Sequence, residues 1–592
     1  MRAFEAVRGW VNAWQVPARV DDPGAGAAGA CVTLRLNGEL VGRGEAFSLA
    51  GGSALLNATR DAMSKAEGRL RVPNDATRED ATRRVAAEIA ISVELAGPLI
   101  TIEPKTWGDV DTGLSPGLDG VIVRGGEAEG RMEAVFPSTM LTLNILPRRA
   151  IAGAAASLIG EGGAAAALNE PEEIRAKHGL RMQRFRVCQV AQGRAADAPI
   201  VLFRGQRLIP ANTVMTGAEL REMASGLAQH LVKRAEGQVR VDPARGSAGR
   251  ATDALSGLLS AYALARYHAV CADQVQPGVK DIERAISAAW REYAAVEEPG
   301  IPAGSALVWM TVPGDSMLGS DERALQRVRF QQWSRAIFAP ELAGRQEAPK
   351  ALVQLVDPKQ ITRELRPLVL FAVLSGYQAG TGANPVRGAD DAAVLAGTER
   401  LIRSLYAEAG ESRLVSMMPW LGWSEIAQAE ATRADGNAPR PDLAGALALR
   451  QMRDDVWKHQ LAISDAGEDG LDMIGGIVFT DGKGTPLPTW QSVRPLAFIA
   501  TMLRDERLTE KHERPREIAR LMRAMRFLRQ LQVDESECWM ISDCGAATGG
   551  VRASTWDQTT PTDATSLALL CVVEMLKSLE AIAHEAGGVG GK

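Results

Sequence analysis

The sequence has little of several features that would identify a specialised class of protein. Its six cysteines are too few and too scattered for a disulfide framework. It contains no apolar run of about 20 residues, the length that a membrane-spanning helix needs. Residues 1–15 also lack the apolar centre of a secretory signal. We therefore expect a soluble protein of the reducing cytoplasm, with no membrane partner.

Neither sign of charge is in large excess. The formal net charge of -5 over 592 residues gives no bias towards nucleic acid, so we expect no nucleic-acid partner. Cys538 and Cys544 could pair or bind a metal ion, but no second cysteine pair or histidine cluster completes a site. We expect them to do neither, and we expect no metal and no cofactor. The chain length predicts two or three domains.

The first part of the chain mixes strands and helices. Residues 29–48 read as a hairpin, because Asn37-Gly38 is a strong turn signal between two apolar runs. Residues 87–95 alternate as a strand, residues 120–124 predict another, and residues 148–169 predict a helix. The sequence therefore predicts an α+β domain over residues 1–190, followed by a connector over residues 191–216.

Residues 29–190 resemble the AMMECR family. The resemblance lies in four stretches in the family's order and spacing: Val32–Leu40, Ile91–Leu95 followed by Pro98, Pro116–Arg124, and Phe136-Pro137. It implies the family's α+β fold. After the hairpin turn the family usually carries a cysteine, but here Arg43 occupies that position, and Cys31 on the preceding strand does not replace it. We therefore expect this AMMECR-like domain to bind or scaffold rather than to catalyse.

The remaining residues, 217–592, are patterned as helices in pairs. Near the end, an amphipathic helix over residues 515–532 is followed by a long loop and then by an apolar helix that begins at Thr562-Asp563. The same order recurs upstream. Outer helices are predicted to start near residues 216, 281, 323, 390, 443 and 515, and inner helices near residues 252, 305, 361, 419, 490 and 562. Six pairs at a period near 60 predict an all-α (α/α)6 toroid.

This second region resembles the α/α-toroid superfamily of six-hairpin glycosidases, sugar epimerases, squalene cyclases and prenyltransferases. The resemblance rests on the helix pairing and on residues 527–532 leading to Trp539, which are similar to the glutamine-tryptophan repeat of the cyclases. It implies a mouth lined by the N-termini of the inner helices. No catalytic signature of these enzymes is present, because Asp390-Asp391 and Asp454-Asp455 lie in outer helices.

Several aromatic and charged residues fall at or near this expected mouth. Twelve tryptophans against five tyrosines favour a carbohydrate-like ligand, because an aromatic face suits the C–H face of a sugar ring. Asp253 and Asp563 also read as helix caps, and Arg552 also suits an ion pair with Asp557. The candidate ligand-binding residues are Arg552, Trp556, Asp557, Asp563, Asp253, Trp420, Trp423, Glu425 and Trp490.

Two classes of function remain open at this point. The toroid mouth would bind or process a carbohydrate-like or isoprenoid ligand, or the chain would be a non-catalytic scaffold or interaction protein whose protein partners the sequence does not name. An open mouth with facing carboxylates favours the first. A mouth filled by Trp420, Trp490 and Trp556 favours the second.

Overall fold

The fold was analysed in a computed structural model of the chain. It describes residues 1–18, 24, 26–48, 53–70, 83–125, 131–160, 169–237, 254–271, 276–294, 306–307, 310–311, 366–378, 391–433, 440–479 and 487–588. Asp253 and the predicted helix starts near residues 323 and 361 lie outside these ranges. Only part of the predicted helix starting near residue 305 lies within them.

The first part of the chain is built on one antiparallel sheet. Its strands are β1 (Gly29–Leu36), β2 (Glu39–Phe47), β3 (Ile89–Ala96), β4 (Ile100–Ile102), β5 (Asp119–Arg124), β6 (Met132–Val135), β7 (Arg181–Ala191) and β8 (Ile200–Leu202). The order across the sheet is β2-β1-β3-β7-β5-β6, and β4 and β8 also pair with β7. The α+β class of this part is therefore confirmed.

In the described residues of this part, six helices pack around the sheet. They are α1 (Arg2–Ala13), α2 (Ala54–Arg69), α3 (Trp107–Gly113), α4 (Pro137–Leu143), α5 (Pro147–Ile159) and α6 (Pro171–His178). One hydrophobic core lies between α1, α2 and strands β1 to β3, and a second lies between α3, α5 and strands β5 and β7. Helix α1 was not among our expectations, although Phe4, Val7 and Val11 give it an apolar face.

The hairpin turn forms where its sequence predicts it. Asn37 and Gly38 have φ angles of 50° and 82°, the left-handed values that a tight hairpin turn requires. The turn also touches the helical part of the chain. A Cβ atom on Gly38 would lie 2.4 Å from the carbonyl oxygen of Ser542, so glycine is required here by contact as well as by conformation.

The predicted connector is part of the packed structure. Strand β8 lies within residues 191–216 and pairs with β7, so the sheet extends into this segment. Arg204 and Gln206 are buried, and the Arg204 Nε donates to Asp472 Oδ2 at 2.9 Å. The segment therefore attaches the sheet to the helical part.

The rest of the described chain is helical. The longer helices are α7 (Gly217–Ala235), α8 (Ala254–Val270), α9 (Val279–Ala294), α10 (Arg366–Gln378), α11 (Asp391–Glu408), α13 (Trp420–Ala431), α14 (Ala446–Lys458), α16 (Val493–Met502), α17 (Arg514–Leu531) and α19 (Thr562–Gly588). Short helices are α12 (Glu411–Ser416), α15 (Ile463–Ala466) and α18 (Cys544–Ala547). They start within a few residues of the described positions that the repeat predicts.

The predicted inner helices pack against one another. Helix α19 lies between α8 and α16, and α10 packs against α13. Ser260 of α8 contacts Ser566 of α19. About two turns further along both helices, Arg266 contacts Glu574. The two helices therefore run in the same direction. The first and last inner helices of the repeat are thus neighbours.

Candidate functional site

Two loops that precede inner helices meet at one end of the helical part. The Trp490 N–H donates to the carbonyl of Ala553 at 3.0 Å, which joins the turn before α16 to the loop before α19. The Arg494 guanidinium lies over the Trp490 ring at 5.5 Å, and its Nε donates to Gln491 Oε1 at 2.5 Å. Trp490 and Arg494 are both half-buried. We call these two loops, residues 487–494 and 551–561, the mouth loops.

The second mouth loop is held in shape by its own polar groups. Asp557 Oδ1 accepts from the Thr559 N–H at 2.9 Å and from its hydroxyl at 2.7 Å. The Asp557 N–H donates to Ser554 Oγ at 2.9 Å, and the Ala553 N–H donates to the Thr559 carbonyl at 2.7 Å. The carboxylate of Asp557 therefore fixes the loop, and its side chain and that of Trp556 stay half-buried at the surface.

Three side chains in this loop are buried without a protein partner for their polar atoms. Gln558 is 1% exposed, and neither atom of its side-chain amide has a hydrogen-bond partner. The hydroxyls of Thr555 and Thr560, both fully buried, are also unpartnered. Buried polar groups in proteins are nearly always paired with protein, ordered water or a ligand. Hydrogen-bond partners for these groups would come from ordered water or from a bound ligand.

Arg552 does not lie beside Asp557 as its sequence position suggests. Its guanidinium is fully buried and pairs with Glu537 at 2.7 Å, and it also donates to the Gln530 carbonyl at 3.0 Å. Burial raises the pKa of Glu537, and the charge of Arg552 partly offsets this. These contacts favour a structural role, and ligand binding by Arg552 stays a prediction.

Asp563 lies inside helix α19 rather than at its cap. The helix begins at Thr562, so Asp563 belongs to its first turn, where a negative charge is favourable. Its charge acts on Arg234, whose pKa burial lowers to about 10. Arg234 also donates to the Thr560 carbonyl at 2.6 Å and so braces the loop.

Trp420, Trp423 and Glu425 lie in the core of the helical part, not at the mouth loops. The two tryptophans are 7% and 6% exposed, with ring centroids 5.3 Å apart, and the Trp423 indole donates to Thr501 Oγ1 at 2.9 Å. Glu425 accepts from the Gly445 N–H at 2.9 Å, and burial raises its pKa. Of the candidate residues, the structure brings Trp490 together with the Trp556–Asp557 loop.

Arg43 of β2 lies in a polar cluster. Arg43 Nη2 donates to Ser138 Oγ at 3.1 Å, and the Ser138 N–H donates to the buried carboxylate of Glu94 at 3.1 Å. Burial raises the pKa of the nearby Cys31 thiol well above its ordinary value. A protonated, buried thiol is unreactive.

Cys538 and Cys544 are joined by a disulfide, contrary to our expectation from their isolation in the sequence. Their Cα atoms lie 5.3 Å apart because the chain turns back over six residues. In the described ranges no group of three or more histidine, cysteine, aspartate or glutamate side chains is arranged to hold a metal ion. Within the same ranges, no helix combines the length and apolarity needed to cross a bilayer.

The loop before α19 also packs against a buried histidine. His230 on α7 is fully buried, and a Cβ on Gly550 would lie 2.5 Å from its Cε1. Burial lowers its pKa to about 3, and the positive charges of Arg234 and Lys233 act in the same direction. The folded protein therefore holds the ring neutral.

We predict that His230 makes the protein sensitive to acid. A histidine with a lowered folded pKa contributes stability that is complete above about pH 6.5 and is lost as the pH falls towards 3. The loss is about 1.4 kcal/mol per pH unit in this window. Urea unfolding of wild type and His230→Leu at several pH values tests this. The exposed His512→Leu is the control, and equal slopes for all three proteins would contradict the prediction.

Comparison with known proteins finds a similarity of limited extent. No family model matches the chain, and no curated protein is significantly similar to it. Among solved structures, the chain is similar to the crystal structure of an uncharacterised protein from Pyrococcus horikoshii. The similarity has 15% sequence identity and a TM-score of 0.25, and covers 34% of this chain and 92% of that chain.

Proposed function

We propose that the helical part is an (α/α)6 toroid whose mouth loops bind a carbohydrate-like ligand. The parallel packing of α8 against α19, the first and last inner helices, supports a closed ring. The loops before the inner helices then gather at one end, where Trp490 and Trp556 lie. The AMMECR-like domain would be a binding or scaffold module attached firmly to this ring, since Arg204 and Gln206 of the connector are buried.

The unpartnered amide of Gln558 is the observation that carries this proposal. An amide offers two donors and an acceptor, and a sugar offers hydroxyls that both donate and accept. The nearby hydroxyls of Thr555 and Thr560 also lack a hydrogen-bond partner within the protein. An isoprenoid chain has no group that satisfies them, so a polyhydroxylated ligand fits better. The Arg494 guanidinium lies over the Trp490 ring. This ring adds an aromatic surface suited to a sugar's C–H face.

Binding is a better proposal than glycoside hydrolysis at these loops. Hydrolysis uses two carboxyl groups placed on either side of the scissile bond. Within the described residues of the mouth loops, Asp557 is the sole carboxylate, and it is engaged by Thr559. The carboxylate thus positions the loop, and the chemistry available there is recognition.

We expect Gln558→Leu to weaken ligand binding by at least about tenfold, the effect of one lost hydrogen bond. Folding should not suffer, because leucine removes a buried unpaired amide and keeps a similar volume. Calorimetric titration with neutral oligosaccharides, chosen by a glycan array on wild type, tests this. The exposed Gln15→Leu is the matched control. Binding by Gln558→Leu equal to that of wild type would contradict the proposal.

A non-catalytic scaffold is the second candidate, and one observation favours it. Trp420 and Trp423 fill the space between α8, α10 and α13, with the Tyr262 and Phe371 rings 5.7 and 5.5 Å away from the two indoles. A ring whose centre is packed in this way leaves no deep cavity at that level. A glycan array with no binder at all would support the scaffold over the ligand-binding toroid.

A further inference from the structure

The last inner helix carries one buried carboxylate among apolar residues. Glu574 of α19 is fully buried, while its neighbours Val573 and Met575 lie in the hydrophobic core. Its carboxylate accepts from Arg504 Nη2 at 2.5 Å, from Thr501 Oγ1 at 3.1 Å, and from Arg266. Three inner helices, α8, α16 and α19, thus meet at this group.

The positive charge at this point exceeds the negative charge. In the part of the chain that the structure describes, the ion pairs of Arg266 and Arg504 both end on Glu574. Lys577, one turn further along α19, acts on the same carboxylate. The three cations hold the pKa of Glu574 at about 2 against the effect of its burial, so the group stays ionised at any physiological pH.

The two arginines remain accessible although their shared partner is not. The side chains of Arg266 and Arg504 are 31% and 20% exposed, against 0% for Glu574. Glu574 accepts from the Nη2 atom of each guanidinium, and each guanidinium carries further N–H donors besides this one.

This cluster is separate from the mouth loops. Glu574 lies 12 residues after Thr562, the first residue of α19, which corresponds to about 18 Å along the helix. Arg266 is likewise 12 residues beyond the first residue of α8, so it lies at the same level. A ligand at the mouth would not reach these arginines unless it were about as long as that distance.

We propose that Arg266 and Arg504 form a second binding site, which holds the oxyanion of a small molecule. The two guanidinium groups lie side by side on the Glu574 carboxylate. Neighbouring guanidinium groups suit the oxygens of a phosphate or a carboxylate, since arginine donates in a planar fork. Glu574 holds both side chains in position from below. Thr501 and Ser578 fix the carboxylate and Arg504 in turn, at 3.1 and 2.9 Å.

Phosphorus NMR with inorganic phosphate tests this site directly. Wild type should broaden the phosphate signal. The apparent affinity for phosphate obtained from this broadening should be at least about tenfold lower for Arg504→Gln. The exposed Arg403→Gln, whose arginine pairs with Glu399 at the surface, is the control and should match wild type. Sodium chloride holds the ionic strength constant, and acetate is added as a competitor. Strong competition by acetate assigns the site to carboxylates, and weak competition assigns it to phosphates.

A second variant separates a binding site from a purely structural ion pair. Glu574→Gln removes the competing negative charge and keeps the side-chain shape, so phosphate affinity should rise by about tenfold. If the cluster is only structural, this variant loses stability without binding phosphate. Absence of phosphate binding by the wild-type protein, or equal binding by Arg504→Gln and wild type, would overturn the proposal whether or not Glu574→Gln folds.

Discussion

Replacement of Arg552 by alanine is expected to lower the free energy of unfolding by about 3–5 kcal/mol. The guanidinium is fully buried, and its removal leaves the Glu537 carboxylate buried without its cation. The Gln530 carbonyl loses a donor as well. An uncompensated buried charge is among the most destabilising changes a single substitution can make.

Urea unfolding of Arg552→Ala measures this loss, with Arg516→Ala as the control. Arg516 is exposed on α17, and its replacement should change stability by no more than about 0.5 kcal/mol. The result decides the role of Arg552. If Arg552→Ala keeps wild-type stability but loses ligand binding, the residue belongs to the site after all.

Replacement of Arg526 by alanine should have an effect of similar size, about 3–5 kcal/mol, for a different reason. This fully buried arginine donates to the backbone carbonyls of Ile474, Leu471 and Pro210 at 2.9, 2.9 and 3.1 Å, and to that of Ile209. Burial lowers its pKa to about 10. Alanine would leave these acceptors unpaired in the core. It would also remove one of the attachments between the connector and α17, where Gln530 makes others.

The test for Arg526 compares it with Arg523, an exposed arginine one turn earlier on the same helix. Thermal unfolding followed by calorimetry should show a lower transition temperature for Arg526→Ala and an unchanged transition temperature for Arg523→Ala. Equal transition temperatures in the two variants would show that the connector does not depend on this side chain.

Individual helices could be predicted because local patterns determine them. Helix α17 runs over Arg514–Leu531, close to the predicted residues 515–532, and Leu521, Met525 and Leu528 form its buried face. The hairpin at Asn37-Gly38 was predictable for the same reason, since the turn requires these residue types. Backbone conformation and burial of a face depend on residues near in sequence.

The contacts of single polar residues could not be predicted in this way. We expected Arg552 to suit an ion pair with Asp557, five residues away, but it forms its ion pair with Glu537. The disulfide between Cys538 and Cys544 depends on a turn that no pattern in the sequence indicates. Such pairs are set by how the chain returns on itself, which is a property of the tertiary structure.

Two signals in the sequence were present but did not enter the prediction. Glu574 is a lone carboxylate inside a helix that is otherwise apolar over Leu567–Leu576, and charged residues are almost never fully buried without a partner. Gln558 and Thr560 lie in a polar run directly before the same helix. Both features marked places where burial and polarity conflict, and such conflicts are common at functional sites.

We propose that a carbohydrate-like ligand supplies the hydrogen-bond partners of the buried Gln558 amide. A crystal structure of the protein soaked with the best neutral oligosaccharide from the glycan array tests this. We expect sugar density at the mouth loops, with ring hydroxyls within hydrogen-bond distance of the Gln558 amide and a ring face near Trp490. Ordered water on Gln558 with the sugar bound elsewhere, or with no sugar bound, would contradict it.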